Sequence, residues 1–391
     1  MIPPRRSAEA AVYFYLATFA LPFSLDIGLL GLAVLGSRAA LASAPRFPSG
    51  ILATFLSLML VIGMGNVASP DFQRSLQLSL ALIPACLVYF LISGYFGKRQ
   101  LIGLCLTWAL ISCVLGGWML MVSATHPQMS PTEWIVQSRL TAFKVPNDII
   151  LFQILLPFPL ALFKLSPKFS AQSWLAWTAI AISLSLAVVY HSRLAILIAG
   201  VSMALFFLLL RESKQLFQIG TVAILGLILM DAALGFTLIT KFLSSWTSRL
   251  PLWWAAWQMF LQSPLTGHGI GSYLLLYKEY LNPTQLPDWV VHDPRVTPWA
   301  HNLYLEILAE LGIIGALAFV GLLLFSIKSK YFQASKNPQQ QILTSAVMAA
   351  LIAFCLSGLF ELSLWRQWVG LTFLLIIGCI SATYKFQEGT S

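Results

Sequence analysis

The chain has 391 residues, of which 58% are hydrophobic and only 9% are charged, and its formal net charge is +9 at pH 7. Soluble domains carry about 25% charged residues, so this composition excludes an ordinary soluble protein. A transmembrane helix needs about 20 consecutive apolar residues, and the chain has room for roughly twelve. The composition therefore predicts an all-α polytopic membrane protein in which residues 1–391 form a single integral membrane domain.

The predicted spans follow the apolar runs that lie between charged residues, prolines and glycines. In chain order they cover residues 9–24, 27–43, 50–66, 76–96, 100–122, 147–163, 173–190, 193–210, 216–239, 302–326, 341–360 and 364–384. The first two are joined by a short junction around Pro22 and Asp26, which predicts either a hairpin or a broken helix.

The distribution of basic residues predicts the orientation. If both termini are cytoplasmic, the cytoplasmic loops collect most of the 23 lysines and arginines, as the positive-inside rule requires. The two longest loops, 123–146 and 240–301, then lie on the extracytoplasmic side, where we expect the chemistry. Because the cytoplasmic loops account for the positive charge, no nucleic-acid partner is predicted.

Two short stretches place arginines at the extracytoplasmic boundary. In SRLTAFKVPNDI, Arg139 and Lys144 precede a predicted span, where they either anchor to lipid headgroups or bind an anion. In VVYHSRLAILIAG the turn is so short that Arg193 lies at the apolar boundary, where arginines usually face a protein interior or a wet cavity. His191 is either a second titratable group or a satisfied interfacial histidine.

The stretch SRLPLWWAAWQMFLQSPLTGHGIGSY predicts a helix inside the longer loop. Ser248 is a candidate cap, and Pro264 ends the helical pattern. Helical periodicity puts Arg249 on one stripe with Trp253 and Trp257, which predicts an interfacial helix with its rings at headgroup depth. An arginine on the aromatic stripe itself favours a role beyond anchoring. The following GxGxG has no predicted strand before it, so it does not predict a dinucleotide site.

The stretch PWAHNLYLEILAELGIIG opens the tenth predicted span with His301 and Asn302. Glu306 and Glu310 lie deeper and, being four residues apart, share a face of the helix. Buried carboxylates need partners, and Arg366 is one candidate. We expect the two glutamates to position cations or seal the helix packing. A lone interfacial histidine is often structural, but here several arginines share its side of the membrane.

These residues together predict a simple chemistry. Fixed cations suit a pyrophosphate, and a histidine suits removal of a proton from a hydroxyl near neutral pH. The segment HNLYLE does not match HExxH, and no pair of carboxylates or cysteines has metal-ligand spacing. We therefore predict a metal-free transfer reaction on a lipid-linked phosphate, without a cofactor.

SRLPLWWAAWQMFLQSPLTGHGIGSY followed by AHNLYLEILAELGIIGALAF resembles the signature region of the O-antigen ligase and O-antigen polymerase superfamily. The resemblance is specific over roughly residues 245–325 and weaker, but in the right order, for SRLTAFKVPND and HSRLAILIAG. It implies an inverting, metal-independent transfer of a glycan from undecaprenyl pyrophosphate to an acceptor hydroxyl on the periplasmic side of the bacterial inner membrane.

The same resemblance implies roles for individual residues. His301 is the base that deprotonates the acceptor, and Arg249 is the second catalytic residue, which stabilises the departing diphosphate. The residues implied to bind substrate are Arg139, Arg193, Arg249 and Asn302. This chain has Ala142 and Leu194 where the family often has glycine or a small residue, so the matches at Arg139 and Arg193 are less specific.

Several functions remain open at this level. The resemblance favours an O-antigen ligase with a lipid A core acceptor, surrounded by membrane lipid. A polymerase that uses two lipid-linked glycans is the closest alternative. A protein-glycosylating member ranks third, because the chain ends soon after its last predicted span. A secondary transporter with twelve spans belongs to a different class, but it typically shows repeated halves, and none is visible here.

Overall fold

The computed structural model describes residues 4–21, 27–42, 47–212, 214, 249–281, 297–327 and 337–384. Regular structure within these ranges is helical throughout. The predicted span 216–239 lies outside the described residues, as do the junction at Pro22 and Asp26 and the predicted cap Ser248. Of the predicted 240–301 loop, the structure describes residues 249–281 and 297–301.

The α-helices follow the apolar runs of the sequence, and their bounds lie within a few residues of most predicted spans. They are α1 (Pro4–Thr18), α2 (Leu29–Ala42), α3 (Ser49–Ala68), α4 (Phe72–Leu80), α5 (Ile83–Tyr95), α6 (Lys98–Ile111), α7 (Gly117–Thr125), α8 (Pro131–Ser138), α9 (Ile150–Ile154), α10 (Pro157–Leu165), α11 (Ala171–Val189), α12 (Arg193–Leu209), α13 (Leu250–Gln262), α14 (Ser272–Leu276), α15 (Leu303–Ile327), α16 (Pro338–Gly358) and α17 (Gln367–Tyr384).

Seven segments of the described chain are long and apolar enough to cross a membrane. They are Ser49–Ala68, Phe72–Tyr95, Lys98–Thr125, Pro146–Leu165, Ala171–Val189, Leu303–Ile327 and Pro338–Gly358. Three shorter apolar helices are Leu29–Leu41, Arg193–Leu209 and Gln367–Thr383. These findings confirm an all-α polytopic membrane fold, and the number of about twelve spans stays a prediction.

The predicted span 147–163 is broken between α9 and α10. Pro157 begins α10 and lacks an N–H group, so it cannot continue the hydrogen bonding of α9. Ser202 Oγ compensates inside the bundle by donating to the Gln153 carbonyl at 2.8 Å. The Gln153 side chain also joins α9 to α11, since its Nε2 donates to the Ser183 carbonyl at 2.6 Å. Neighbouring helices therefore satisfy the interrupted backbone, as a membrane interior requires.

The bundle is built from closely packed helix pairs. Helix α17 packs along α5, α15 packs along α3, and α16 packs against both α10 and α12. Phe373 stacks on Phe319 and Phe354 with ring centroids 5.2 and 5.3 Å apart, which joins α15, α16 and α17. Van der Waals packing of this kind drives association where lipid removes the hydrophobic effect between helices.

Helix α13 docks on α15 through a face that the sequence pattern did not single out. The docked residues are Leu252, Ala255, Ala256 and Met259, all buried. Trp257, on the predicted interfacial stripe, is 40% exposed. Small residues on the docked face allow the two helices to approach closely. The interfacial depth of α13 stays a prediction, while its packing partner is now defined.

Helix α15 is kinked at Gly312, which has φ 63° and ψ −164°. The kink leaves backbone groups without helical partners, and the loop after α13 supplies them. The N–H of Ile313 donates to the Pro264 carbonyl at 2.8 Å, and the N–H of Gly269 donates to the Glu310 carbonyl at 2.8 Å. Irregular backbone within a span is tolerated when it is satisfied by protein in this way.

Gly312→Ala is expected to destabilise the protein by about 1–3 kcal/mol, because the φ and ψ of Gly312 are accessible essentially only to glycine. A Cβ there would also collide with the Leu265 carbonyl. Thermal unfolding of the purified protein in detergent checks this. The control is Gly63→Ala in α3, where a Cβ would meet nothing within 4 Å and where alanine favours the helix. Equal unfolding temperatures for the two variants contradict the expectation.

Candidate active site

Polar segments from five parts of the chain meet at the end of the bundle where His301 lies, which we call the site end. They are the 3₁₀ turn Pro146–Ile149, the turn before α12, and the starts of α13 and α15, together with the turn that joins α16 to α17. Glu361 in that last turn is only 1% exposed and contacts three of the other segments.

One oxygen of Glu361 receives three contacts. Oε2 accepts from Asn147 Nδ2 at 3.0 Å and from Arg249 Nη2 at 3.2 Å, and it lies 3.2 Å from His301 Nδ1. The other oxygen, Oε1, is 4.0 Å from Arg366 Nη1. We call these five residues the Glu361 cluster. Because a carboxylate only accepts, the contact with His301 places a proton on Nδ1 and leaves Nε2 as the acceptor of the neutral ring.

Arg366 is the buried cation of the cluster. Its guanidinium lies 4.4 Å from the ring centroid of Trp299 and 5.3 Å from that of Trp368, and it donates to the buried carboxylate of Asp148. Asp148 also accepts the N–H of Lys144 at 2.5 Å. Burial lowers the pKa of Arg366 to about 9, and the adjacent carboxylates oppose that effect. Arg366 is thus fixed by rings on its faces and by acids at its edge.

Asn147 extends the cluster towards α12. Ser192 Oγ donates to Asn147 Oδ1 at 2.9 Å, while the same hydroxyl caps α12 by accepting from the N–H of Ala195. Arg193, which the sequence predicts to bind substrate, follows Ser192 directly and is the first residue of α12. Its side chain is half-buried. The site end therefore holds Arg193 next to a residue that is two hydrogen bonds from Glu361.

Three of the residues singled out in the sequence adopt a left-handed backbone. The φ angles are 56° at Arg139, 52° at His191 and 51° at His301. This conformation is uncommon outside glycine and is often found at functional sites. At His301 it turns the chain into α15. Arg139 caps the C-terminus of α8, and its exposed side chain makes no hydrogen bond or ion pair with the described residues. His191 is also exposed.

Asn302 caps α15 instead of presenting its amide to solvent. Oδ1 accepts the N–H groups of Tyr304 and Leu305, both at 3.1 Å, and Nδ2 donates to the Leu359 carbonyl at 3.2 Å. The amide is engaged on both sides and holds α15 to the turn that carries Glu361, while the substrate contact of Asn302 stays a prediction.

The two buried glutamates of α15 bind neighbouring segments. Ser363 Oγ donates to Glu306 Oε1 at 2.5 Å, and Glu310 accepts two backbone N–H groups from the chain that follows α13. Arg366, which was one candidate partner for them, pairs with Asp148 and Glu361 instead. The difference arises because Arg366 lies in the turn above α15, beside the 3₁₀ turn, and not along the face of α15.

Sequence reasoning missed Glu361 and Asp148. A signal for Glu361 was present: FELSLWRQW places an acid and an arginine in a short turn between apolar runs, on the side of the bundle shared with His301. Asp148 sits inside a predicted span, where a lone acid calls for a partner. The described residues contain no group of three or more His, Cys, Asp or Glu side chains arranged to hold a metal ion.

A family model described as O-antigen ligase matches residues 178–320. The matched region runs from α11 into α15, and it includes Arg193, Arg249 and His301. Among curated proteins, none matches the chain. A helical membrane bundle that carries this match favours a membrane enzyme of the O-antigen ligase or polymerase type over the transporter alternative. Over residues 178–320, which make up less than half of the chain, this protein is similar to the O-antigen ligase family.

Asp148→Asn is expected to cost about 3–5 kcal/mol of stability, because it leaves the buried Arg366 without its closest counter-charge. The matched control is Glu212→Gln, which breaks the partly exposed pair with Lys164 and is expected to cost about 0–1 kcal/mol. Thermal unfolding of both variants in detergent measures the difference. A smaller loss for Asp148→Asn than for Glu212→Gln contradicts the assignment.

Proposed function

We propose that this protein is a glycosyltransferase that moves an O-antigen polysaccharide from undecaprenyl pyrophosphate to a hydroxyl of the lipid A core. The transfer is metal-independent, inverts the anomeric centre, and takes place on the periplasmic face of the bacterial inner membrane, with both termini of the chain in the cytoplasm. The observation that carries the proposal is the pair of 3.2 Å contacts through which Arg249 and His301 share one oxygen of Glu361.

His301 acts as the general base. Its Nε2 takes the proton of the acceptor hydroxyl while that oxygen attacks the anomeric carbon from the side opposite the diphosphate. The bond between the anomeric carbon and the diphosphate oxygen breaks, and its electron pair leaves with the diphosphate. Glu361 holds the ring through Nδ1 and stabilises the imidazolium that forms. The contact between Glu361 and His301 thus favours the tautomer with a free Nε2 before the proton transfer and the positive charge on the ring after it.

Arg249 stabilises the negative charge that develops on the departing diphosphate. Glu361 already fixes the guanidinium in place, so little reorganisation is needed when charge develops. The side chain of Arg249 is 19% exposed, and a guanidinium carries five N–H donors, of which the contact with Glu361 uses one. The remaining donors suit phosphate oxygens. Arg139 and Arg193, at the same end of the bundle, add positive charge for the pyrophosphate.

The function is tested with purified protein, the undecaprenyl-pyrophosphate-linked glycan and an added chelator. One reaction contains a lipid A core acceptor and the other a second lipid-linked glycan. We expect transfer to the lipid A core with release of undecaprenyl pyrophosphate. Elongation of the second lipid-linked glycan alone identifies a polymerase instead. Absence of transfer in both reactions overturns the proposal.

His301→Ala is expected to lower kcat by a factor of about 10²–10⁴, because the acceptor hydroxyl loses its base. Saturation with the donor is expected to stay close to that of the parent protein. Steady-state rates of glycan transfer measure both quantities. His126→Ala is the control, because His126 caps α7 at the same end of the bundle and its ring bonds only to Val122 and Thr125 of that helix. Parent-level transfer by His301→Ala contradicts the assignment.

Arg249→Gln is expected to lower kcat/KM for the lipid-linked donor by a factor of about 10²–10³, because one fixed cation facing the leaving group is lost. The change keeps a side chain that can donate to Glu361. Lys278→Gln, which removes an exposed positive charge from the same part of the chain, is the control and should retain donor use. A matching loss in both variants would indicate a general effect of charge.

A further inference from the structure

The chain after α13 is inserted between α3 and the kink of α15. We call Gly267–Gly271 the glycine turn. The N–H of Ile270 donates to the Gly65 carbonyl at 3.3 Å, and Ser69 Oγ donates to the Ile270 carbonyl at 3.1 Å. Gly269 has φ 91°, and a Cβ on it would collide with the backbone of Ser69. The backbone of the glycine turn therefore contacts the backbone at the end of α3 directly, and this close contact fixes the position of the turn between α3 and α15.

Glu310 closes this arrangement from the side of α15. Its side chain is 1% exposed, Oε2 accepts the N–H of Gly271 at 3.0 Å, and Oε1 accepts the N–H of Tyr273 at 2.9 Å. Arg74 of α4 contributes a positive charge near the same carboxylate. Both acceptor oxygens are used by rigid backbone donors.

Tyr273 carries the connection back to α13. Its hydroxyl donates to the Leu252 carbonyl at 3.1 Å, in the first turn of α13. Burial raises the pKa of Tyr273, so the hydroxyl keeps its proton and remains a donor. A continuous polar path therefore runs from Glu310 through Tyr273 to Leu252, and Arg249 lies three residues before Leu252.

Apolar packing alone does not fix how α13 lies along α15. The docked face of α13 carries alanines, leucine and methionine, and contacts between such groups have no preferred direction. The cation and the base of the proposed reaction stand on different helices, Arg249 before α13 and His301 before α15. Glu361 joins the two side chains, and a directional contact between the two helices would in addition fix the backbones that carry them. Misplacement by about 1 Å is enough to slow a reaction.

We propose that Glu310 is a positioning residue that locks α13 to α15 and thereby sets the position of Arg249 relative to His301. The inference rests on the proposed function for its kinetic consequence, whereas its structural consequence does not depend on any reaction. An acid at this depth in a membrane helix has a specific task, and here both of its oxygens are committed to the segment that follows α13.

The kinetic test compares Glu310→Gln, Glu310→Asp and the parent protein. Glutamine keeps one acceptor oxygen and turns an amide donor towards the other backbone N–H. We expect the KM for the lipid-linked donor to rise by about tenfold, with the KM for the acceptor within about twofold of the parent. Aspartate keeps both oxygens, so Glu310→Asp is expected to fall between the two.

The structural test measures the distance between spin labels placed in α13 and α15. In a variant without native cysteines, labels at Leu261 and Leu317, which are 51% and 64% exposed, report on the two helices. We expect one narrow distance distribution in the parent and a broadened or shifted one in Glu310→Gln. Ser202→Ala, which removes a side-chain contact between α12 and α9, is the control and should keep the parent distribution.

An unchanged distance distribution in Glu310→Gln overturns the proposal, as does an equal rise in KM for donor and acceptor. If Glu310→Gln does not fold, Glu310→Asp and Tyr273→Phe decide, since Tyr273→Phe keeps its N–H but loses the contact with Leu252. Broadening in either supports the lock, and parent-like distributions in both overturn it. If the parent transfers no glycan to either acceptor, the proposed function fails while the spin labels still test the lock.

Discussion

Burial of the Glu361 carboxylate is the constraint on which the site end depends. A buried charge must be paired or hydrogen-bonded, and here the partners come from separate segments of the chain. Asn147 connects Glu361 to the 3₁₀ turn, Arg249 connects it to the start of α13, and His301 connects it to the start of α15. None of these segments is adjacent to Glu361 in sequence, so one side chain joins elements that are far apart along the chain. The same contacts that neutralise the acid also orient the base and hold the cation.

Much of the fold could be predicted from the sequence, because a span is specified by the length and apolarity of one continuous run. The predicted span 173–190 corresponds to α11 (Ala171–Val189), and 302–326 corresponds to α15 (Leu303–Ile327). The kink at Gly312 could not be predicted in this way. A glycine within an apolar run is compatible with a straight helix, and the kink depends on backbone partners supplied by a loop more than forty residues earlier in the chain.

In the candidate site, too, local features could be predicted from the sequence, whereas contacts between distant segments could not. His301 and Arg249 could be singled out from local sequence, because polar residues at the mouth of an apolar helix and on an aromatic stripe are unusual. Glu361 could not be linked to them, since sequence indicates the side of the membrane but not which side chains touch. Asn302 shows the converse: its type suits substrate binding, yet the start of α15 needs a cap and uses its amide.

Charge balance in the Glu361 cluster has a consequence for the proton transfer. Asp148 and Glu361 are matched by Arg366 and Arg249, so the Glu361 cluster taken together with Asp148 has no net charge while the His301 ring is neutral. Arg366, enclosed by Trp299 and its acidic neighbours, is a permanent counter-ion. A bound diphosphate makes the site anionic, and a proton taken up by His301 then reduces that negative charge. In the proposed reaction, the negative charge of the bound donor thus favours transfer of the acceptor's proton to this end of the bundle.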